Sequence, residues 1–327
     1  MTKKALIFGV CGQDGAYLTK LLADRGYDVH GTSRDREIAN TSKLRALNVA
    51  DRLHIHSASM SDFRSVLQVI GDVRPDEIYN LASQSSVGLS FAQPVETFEG
   101  TIEGALNILE SIRFLKLDTR FYNAASGEVF GNTQIPADED TPFRPRSPYG
   151  VAKAAAFWTV ANYRESYGLF ACSGILFNHE SPLRPHRFVT QKIVRGACDI
   201  AEKKAEMLTL GNLNVHRDWG WAPEYVDAMS RILQQSQPED YVVATGTTSS
   251  LTDFVEVAFS HFGLDWRKHV EVAPELMRPT DISDSAGSPE KAKRQLAWEA
   301  TVKMPQLVNL LIEAELARRQ AEKRAGA

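Results

Sequence analysis

Tyr149 and Lys153 stand four residues apart in the stretch RPRSPYGVAK. On a helix that spacing puts a phenol and an ammonium on one face. Such a pair can move a proton on and off an alcohol. The phenol is the acid–base group, but its ordinary pKa of about 10 is too high for a base at neutral pH. A neighbouring ammonium favours the phenolate. The spacing also arises by chance on solvent-facing helices, so its meaning depends on what converges with it. FYNAASGEVFG offers two further groups. Ser126 lies where an apolar run ends and supplies a hydroxyl able to hold a substrate oxygen beside Tyr149. Glu128 alone would read as a solvated loop acid; beside a serine, a tyrosine and a lysine it is a candidate base for a carbon-bound proton. That extra acid points beyond simple alcohol oxidation.

Oxidising an alcohol needs a hydride acceptor, and GVCGQDG near the N-terminus has the form of a place to hold one. Gly9, Gly12 and Gly15 follow an apolar run and precede a helical pattern. Glycines there permit a tight turn and let backbone approach a pyrophosphate at a helix N-terminus. The end of the next apolar run reads the adenosine ribose: an acid favours NAD, an arginine NADP. GTSRDRE carries Arg34 and Arg36, which favour NADP, with Asp35 between them opposing it.

The elements that must position these groups are legible as apolar runs. Strands are expected at residues 5–8, 27–30, 53–56, 77–81, 120–125 and 171–177, and helical patterns at 17–22, 66–70, 101–114 and 147–167. Strands alternating with helices predict an α/β fold: a doubly wound parallel sheet covered on both faces. After residue 177 the pattern changes. NHESPLRPHRF reads as a loop facing a ligand, and residues 208–210, 217–221 and 278–281 as parts of a smaller, irregular lobe. The expected division is a dinucleotide-binding domain over 1–177, with segments near 218–245 returning to it, and a second lobe over 178–327. The tail AELARRQAEKRAGA reads as a solvated or frayed helix end.

Bulk properties narrow the class. With 327 residues, 43% hydrophobic and 24% charged, the chain can bury a normal core. A net charge of −4 gives no reason to expect nucleic acid or an anionic membrane as partner. No apolar run reaches the roughly 18 residues of a membrane span, and the N-terminal run reads as a strand rather than a signal peptide. Cys11, Cys172 and Cys198 have neither metal nor disulfide spacing, so no metal is expected and a reduced cytoplasmic setting is.

The same residues carry a resemblance. GQDGAYLTKLL, EIYNLASQSSVG, RSPYGVAK, GILFNHESP, FVTQKI and LGNLNVHRDWG together make the chain similar, nearly end to end, to the GDP-mannose 4,6-dehydratases among the extended short-chain dehydrogenases/reductases. The resemblance implies a Rossmann domain with a sugar-nucleotide-binding lobe, a homodimer or homotetramer, and an internal redox cycle on GDP-mannose or a close GDP-sugar. In that cycle hydride leaves C4 for NADP while Tyr149 takes the O4 proton and Ser126 holds O4. Glu128 then takes the C5 proton, water leaves from C6, and the hydride returns to C6. It implies that Gly9, Gly12, Gln13, Asp14, Gly15, Arg34, Leu81 and Ala82, with Tyr149 and Lys153, hold the cofactor. Asn178, Lys192, Arg217 and Arg278 would hold the GDP portion, with Ser85, Glu180, Phe188, Val189 and Gly211 completing the substrate site.

Departures from the family pattern fall in the same regions. Ser126 stands for threonine and keeps the hydroxyl. Gly127 stands for serine and removes a donor to the C6 leaving group. Ser59 and Met60 replace an Asp-Leu pair near the adenine, Ser86 a frequent histidine, and Pro185, His186 and Arg187 a glycine-containing turn. Asp281, Ile282 and Ser283 replace a Glu-Val-Asp run. These differences are compatible with a modified hexose or heptose in the GDP-sugar, or with reduced activity. The competing readings are a nucleotide-sugar 4-epimerase, against which Glu128 argues, a 4-keto reductase, and a binding-only regulator, against which Tyr149 and Lys153 argue.

Overall fold

Ala5, Leu6, Ile7 and Phe8 are consecutive apolar residues, the pattern of a strand buried on both faces. The computed structural model describes residues 2–325 and places them in β1 (Lys4–Phe8) at the centre of the main sheet. Ala5 and Ile7 pack with Leu18, Leu22 and Met229 on one face; Leu6 and Phe8 pack with Val66, Ile70 and Ile108 on the other. Seven strands make this sheet: β1, β2 (Asp28–Ser33), β3 (His54–Ser57), β4 (Glu77–Asn80), β5 (Arg120–Ser126), β6 (Ala171–Leu176) and β10 (Tyr241–Val243). All pairings are parallel, in the order β3-β2-β1-β4-β5-β6-β10. The winding direction reverses between β1 and β4, and such a reversal leaves a crevice at the carboxyl ends of the strands.

Helices α1 (Gln13–Asp24), α9 (Ala222–Leu233) and α11 (Glu290–Leu296) belong to one covering layer, and α3 (Phe63–Val73), α6 (Gly104–Phe114) and α7 (Pro148–Tyr167) to the other. The short helices α2 (Ser42–Ala46), α4 (Val87–Ala92) and α5 (Pro94–Phe98) lie in connections. A second, smaller sheet is built around β9 (His216–Trp221), which pairs with β7 (Asn178–Glu180), β11 (Thr248–Ser250) and β13 (Asp284–Ser285). A further pair joins β8 (Leu208–Leu210) to β12 (Val270–Val272). Helices α8 (Val189–Ala201), α10 (Leu251–Ser260) and α12 (Met304–Ala325) surround a separate core containing Ile193, Leu210, Trp219, Phe254 and Leu307.

Three differences from the sequence reading have physical causes. Residues 178–180, read as loop, form β7, because polar side chains do not prevent the backbone from pairing with Trp219–Trp221 some forty residues on. Residues 290–300, assigned to the second lobe, return to the main sheet, where Ala292, Leu296 and Trp298 fill the layer beside α9. The charged tail is not a frayed end over its described residues. Arg319, only 8% exposed, bonds Glu315 at 2.8 Å and Glu202 at 2.9 Å; residues 326–327 lie outside the description.

Candidate active site

The loop after β1 folds as its glycines require. Gly9 has φ +85°, and a Cβ there would lie 2.8 Å from the Ala82 nitrogen. A Cβ on Gly15 would lie 2.6 Å from Val10 Cα. The loop therefore presses against the end of β4, at Leu81 and Ala82, and α1 starts immediately with Gly12 as a cap that lends no side chain to its first N–H groups. Those donors, at a helix N-terminus walled by glycine, suit a dinucleotide pyrophosphate. Arg34 follows the last residue of β2. Its side chain is 85% exposed and lies 3.4 Å from Glu96, while Arg36 pairs with Glu37 at 2.9 Å.

Tyr149 is fixed by a well-formed helix start. The Ser147 hydroxyl accepts from the Gly150 N–H at 3.0 Å and Pro148 occupies the first position of α7. Lys153, one turn on, is buried, and its Nζ donates to the Ala124 carbonyl at 2.7 Å and lies 5.8 Å from the centre of the Tyr149 ring. The sequence reading expected the lysine to favour the phenolate. Here burial dominates: it pushes Tyr149 up to about 12, against a hydrogen bond from Ser126, and Lys153 down to about 8. The Arg184 charge also pulls the phenol down, and burial outweighs it.

Ser126 ends β5, its hydroxyl accepting from the Glu128 N–H at 3.3 Å, so one short turn orients both. Burial raises the Glu128 carboxyl above the usual range, with Arg217 and Arg278 opposing. A carboxylate so placed is a stronger base than one in water. Gly127 leaves little spare room: a Cβ there would lie 3.1 Å from the Phe177 ring.

One cavity of about 420 Å³ gathers these groups. Ser126, Glu128, Tyr149 and Lys153 line it, as do Asp14 and Leu81 from the cofactor set. Of the expected substrate residues, Ser85, Asn178, Glu180, Phe188 and Val189 line it, and so do Lys192, Gly211, Arg217 and Arg278. Gly9, Gly12, Gln13, Gly15, Arg34 and Ala82 lie outside its wall. Arg217 and Arg278 share one carboxylate, Asp281, at 3.2 and 3.3 Å. Glu180 is 2% exposed and accepts from the Thr190 hydroxyl at 2.8 Å, so it anchors the wall more than it faces outward. The sequence reading passed over Arg184 and His179, both in the lining. Arg184 lies 3.7 Å over the Phe188 ring; the arginine of PLRPHRF was the available signal.

A doubly wound sheet, a glycine cradle at its switch point and a serine–tyrosine–lysine set at the ends of β5 and α7 define an extended short-chain dehydrogenase/reductase. The fold is similar to that of a dTDP-glucose 4,6-dehydratase from Streptomyces venezuelae with NAD and TYD bound (TM-score 0.86, 19% identity, 97% of this chain and 98% of that one). A UDP-glucose 4-epimerase from Thermus thermophilus in complex with NAD is also similar (TM-score 0.83, 24% identity, 95% and 98%). In sequence, "GDP-mannose 4,6 dehydratase 1" of Arabidopsis thaliana is 43% identical over 331 residues, covering 98% of this chain and 92% of that protein. The GDP-mannose 4,6-dehydratase of Sinorhizobium fredii is 44% identical over 339 residues, covering 96% and 97%. The family model described as GDP-mannose 4,6 dehydratase matches residues 6–311. The chain belongs to the GDP-mannose 4,6-dehydratase family.

Proposed function

We propose that this protein dehydrates GDP-mannose to GDP-4-keto-6-deoxymannose with NADP held in the glycine cradle. The observation that carries this reading is Glu128 in the same cavity as Ser126, Tyr149 and Lys153, since a carbon-acid base is what dehydration requires and 4-epimerisation does not. A nicotinamide dinucleotide held in the cradle would supply the hydride acceptor for C4 and the hydride donor for C6. Tyr149 removes the O4 proton while Ser126 holds that oxygen. Once C4 is a ketone, the C5 proton is acidic; Glu128 takes it and hands a proton to the C6 hydroxyl, which leaves as water, and C5 is reprotonated by solvent-exchangeable acid once hydride has reached C6. Gly9, Gly12 and Gly15 admit the pyrophosphate, with Gln13, Asp14, Leu81 and Ala82 around it. Arg217, Arg278, Lys192 and Asn178 serve the diphosphate and nucleoside. Purified protein given GDP-mannose and catalytic NADP should yield a product lighter by one water, with no accumulation of NADPH; stoichiometric NADPH without dehydration refutes the proposal.

NADP is proposed over NAD because Arg34 is an exposed guanidinium at the end of β2. Titration of both dinucleotides should show tighter NADP binding, and Arg34→Ala should weaken NADP about tenfold while changing NAD less than about twofold, the loss of one charge-assisted contact. Equal affinities in the unaltered protein would refute the assignment.

We also propose a homodimer. Leu106 and Phe114 of α6 and Val151 and Trp158 of α7 are exposed, Trp158 at 61%, and exposed apolar side chains on two helices that pack together suit a second copy. Light scattering should give twice the chain mass, reduced to one by Trp158→Glu. No helix of the described residues is long and apolar enough to cross a membrane. The cysteines Cys11, Cys172 and Cys198 are free, which supports a reducing, cytoplasmic setting.

A further inference from the structure

A buried imidazole joins the cofactor loop to the substrate wall. His179, the middle residue of β7, is 8% exposed. Its Nε2 lies 2.9 Å from Asp14 Oδ2, and its Nδ1 lies 2.7 Å from the Phe177 carbonyl oxygen. A carbonyl and a carboxylate only accept, so both ring nitrogens must donate, and the ring that does so is an imidazolium. Protonating Asp14 on Oδ2 is the alternative; the Gln13 Nε2–H donated to its other oxygen at 2.9 Å and the nearby Arg184 charge both favour the carboxylate over it. The imidazole is stacked on Tyr225 with ring centres 4.5 Å apart. Gln13 extends the link: its Oε1 accepts from the Ser181 hydroxyl at 2.8 Å and its Nε2 donates to the His179 carbonyl at 3.3 Å. The first turn of α1 is thus tied to residues 179–181, while Asn178 and Glu180 on either side of His179 line the cavity.

We propose that His179 is a positioning residue: as an imidazolium paired with Asp14 it fixes the Asn178–Glu180 strand against the cofactor loop, and nucleotide binding depends on that pair. This rests on the nucleotide-sugar reading of the site. Burial disfavours charge on both partners, and their mutual attraction outweighs it, holding His179 above its usual 6.5 and Asp14 down at about 2. Arg184 faces both and opposes the imidazolium; Lys43 and Lys153 lie on the Asp14 side. The sign follows for each group. Asp14 is ionised throughout the neutral range, so the upper limit of the pair is set by His179. Its contribution is fully present below the imidazole's unfolded pKa and is lost as pH rises through the raised folded value.

The test uses the full chain and GDP as probe. By calorimetry at about pH 6, His179→Gln should bind GDP about tenfold more weakly than the unaltered protein, and at about pH 9.5 the two should agree within about twofold. Asp14→Asn should repeat the pattern, and the double variant should be no worse than either single one, as expected of two partners in one interaction. Nitrogen-15 spectra of histidine-labelled protein, assigned by the signal absent from His179→Gln, should show both His179 nitrogens protonated at about pH 7. A neutral His179 ring at that pH overturns the proposal, as does a deficit of equal size at both pH values, the mark of packing alone. Failure of the unaltered protein to bind GDP would overturn the nucleotide-sugar reading instead, and the imidazole titration would still decide the pair.

Discussion

Replacing Glu128 with glutamine is expected to lower product formation by about 10² to 10⁴, the usual cost of losing a general base, while leaving the earlier oxidation at C4 in place. Glutamine keeps the shape and polarity of the side chain, and the Glu128 backbone N–H that Ser126 accepts from is untouched. Reduced-cofactor absorbance should therefore rise on adding GDP-mannose, yet solvent deuterium should fail to enter C5. Tyr149→Phe, which removes the acceptor for the O4 proton, should show neither signal. In the unaltered protein the rate should climb with pH as Glu128 loses its proton, and that limb should lie above the ordinary carboxylate range, because burial raises this acid against the pull of Arg217 and Arg278. Glu128→Gln dehydrating at the parental rate would exclude Glu128 as the C5 base and return weight to an epimerase or reductase.

Gly9→Ala should disable the protein at the other end of the reaction. An alanine at φ +85° occupies the left-handed region at a cost of about 1–2 kcal/mol. Its methyl would also meet the backbone of Leu81 and Ala82 within 2.9 Å, and that backbone is pinned by the Leu81 N–H bond to the Phe8 carbonyl. Either the loop or the end of β4 must shift. We expect a loss of at least about 2 kcal/mol in stability and more than about tenfold in dinucleotide affinity, measured by thermal denaturation and fluorescence titration. Gly26→Ala is the control, since Gly26 has φ +82° with nothing within 4 Å of the added methyl. It should carry the backbone penalty alone and bind dinucleotide normally.

What could be read from the sequence was whatever is local. The run Ala5–Phe8, the glycine spacing and the helical pattern over 147–167 each state their structure within a short stretch. What could not be read depends on partners far along the chain. Nothing within residues 178–180 announces a strand, because its partner is Trp219–Trp221. Nothing near Asp14 announces His179, which lies 165 residues away. The tyrosine–lysine pair was visible by spacing, but not that the ammonium would turn to the Ala124 carbonyl. Burial was also invisible, and it is burial that sets the acidity of Tyr149 and Glu128.

Asp281 gives the substrate site a property that neither arginine has alone. Arg217 and Arg278 already share its carboxylate, so the protein carries its own counterion. If the two arginines hold the diphosphate as proposed, its arrival exchanges one anion for another and need not shed a cloud of salt ions from bare guanidinium groups. Ionic strength should therefore weigh lightly on nucleotide affinity, although the ligand is strongly charged. Asp281→Asn would leave that role to dissolved anions. Affinity in dilute buffer would then rise and salt would become a competitor, making Asp281 a device that steadies binding across changing electrolyte.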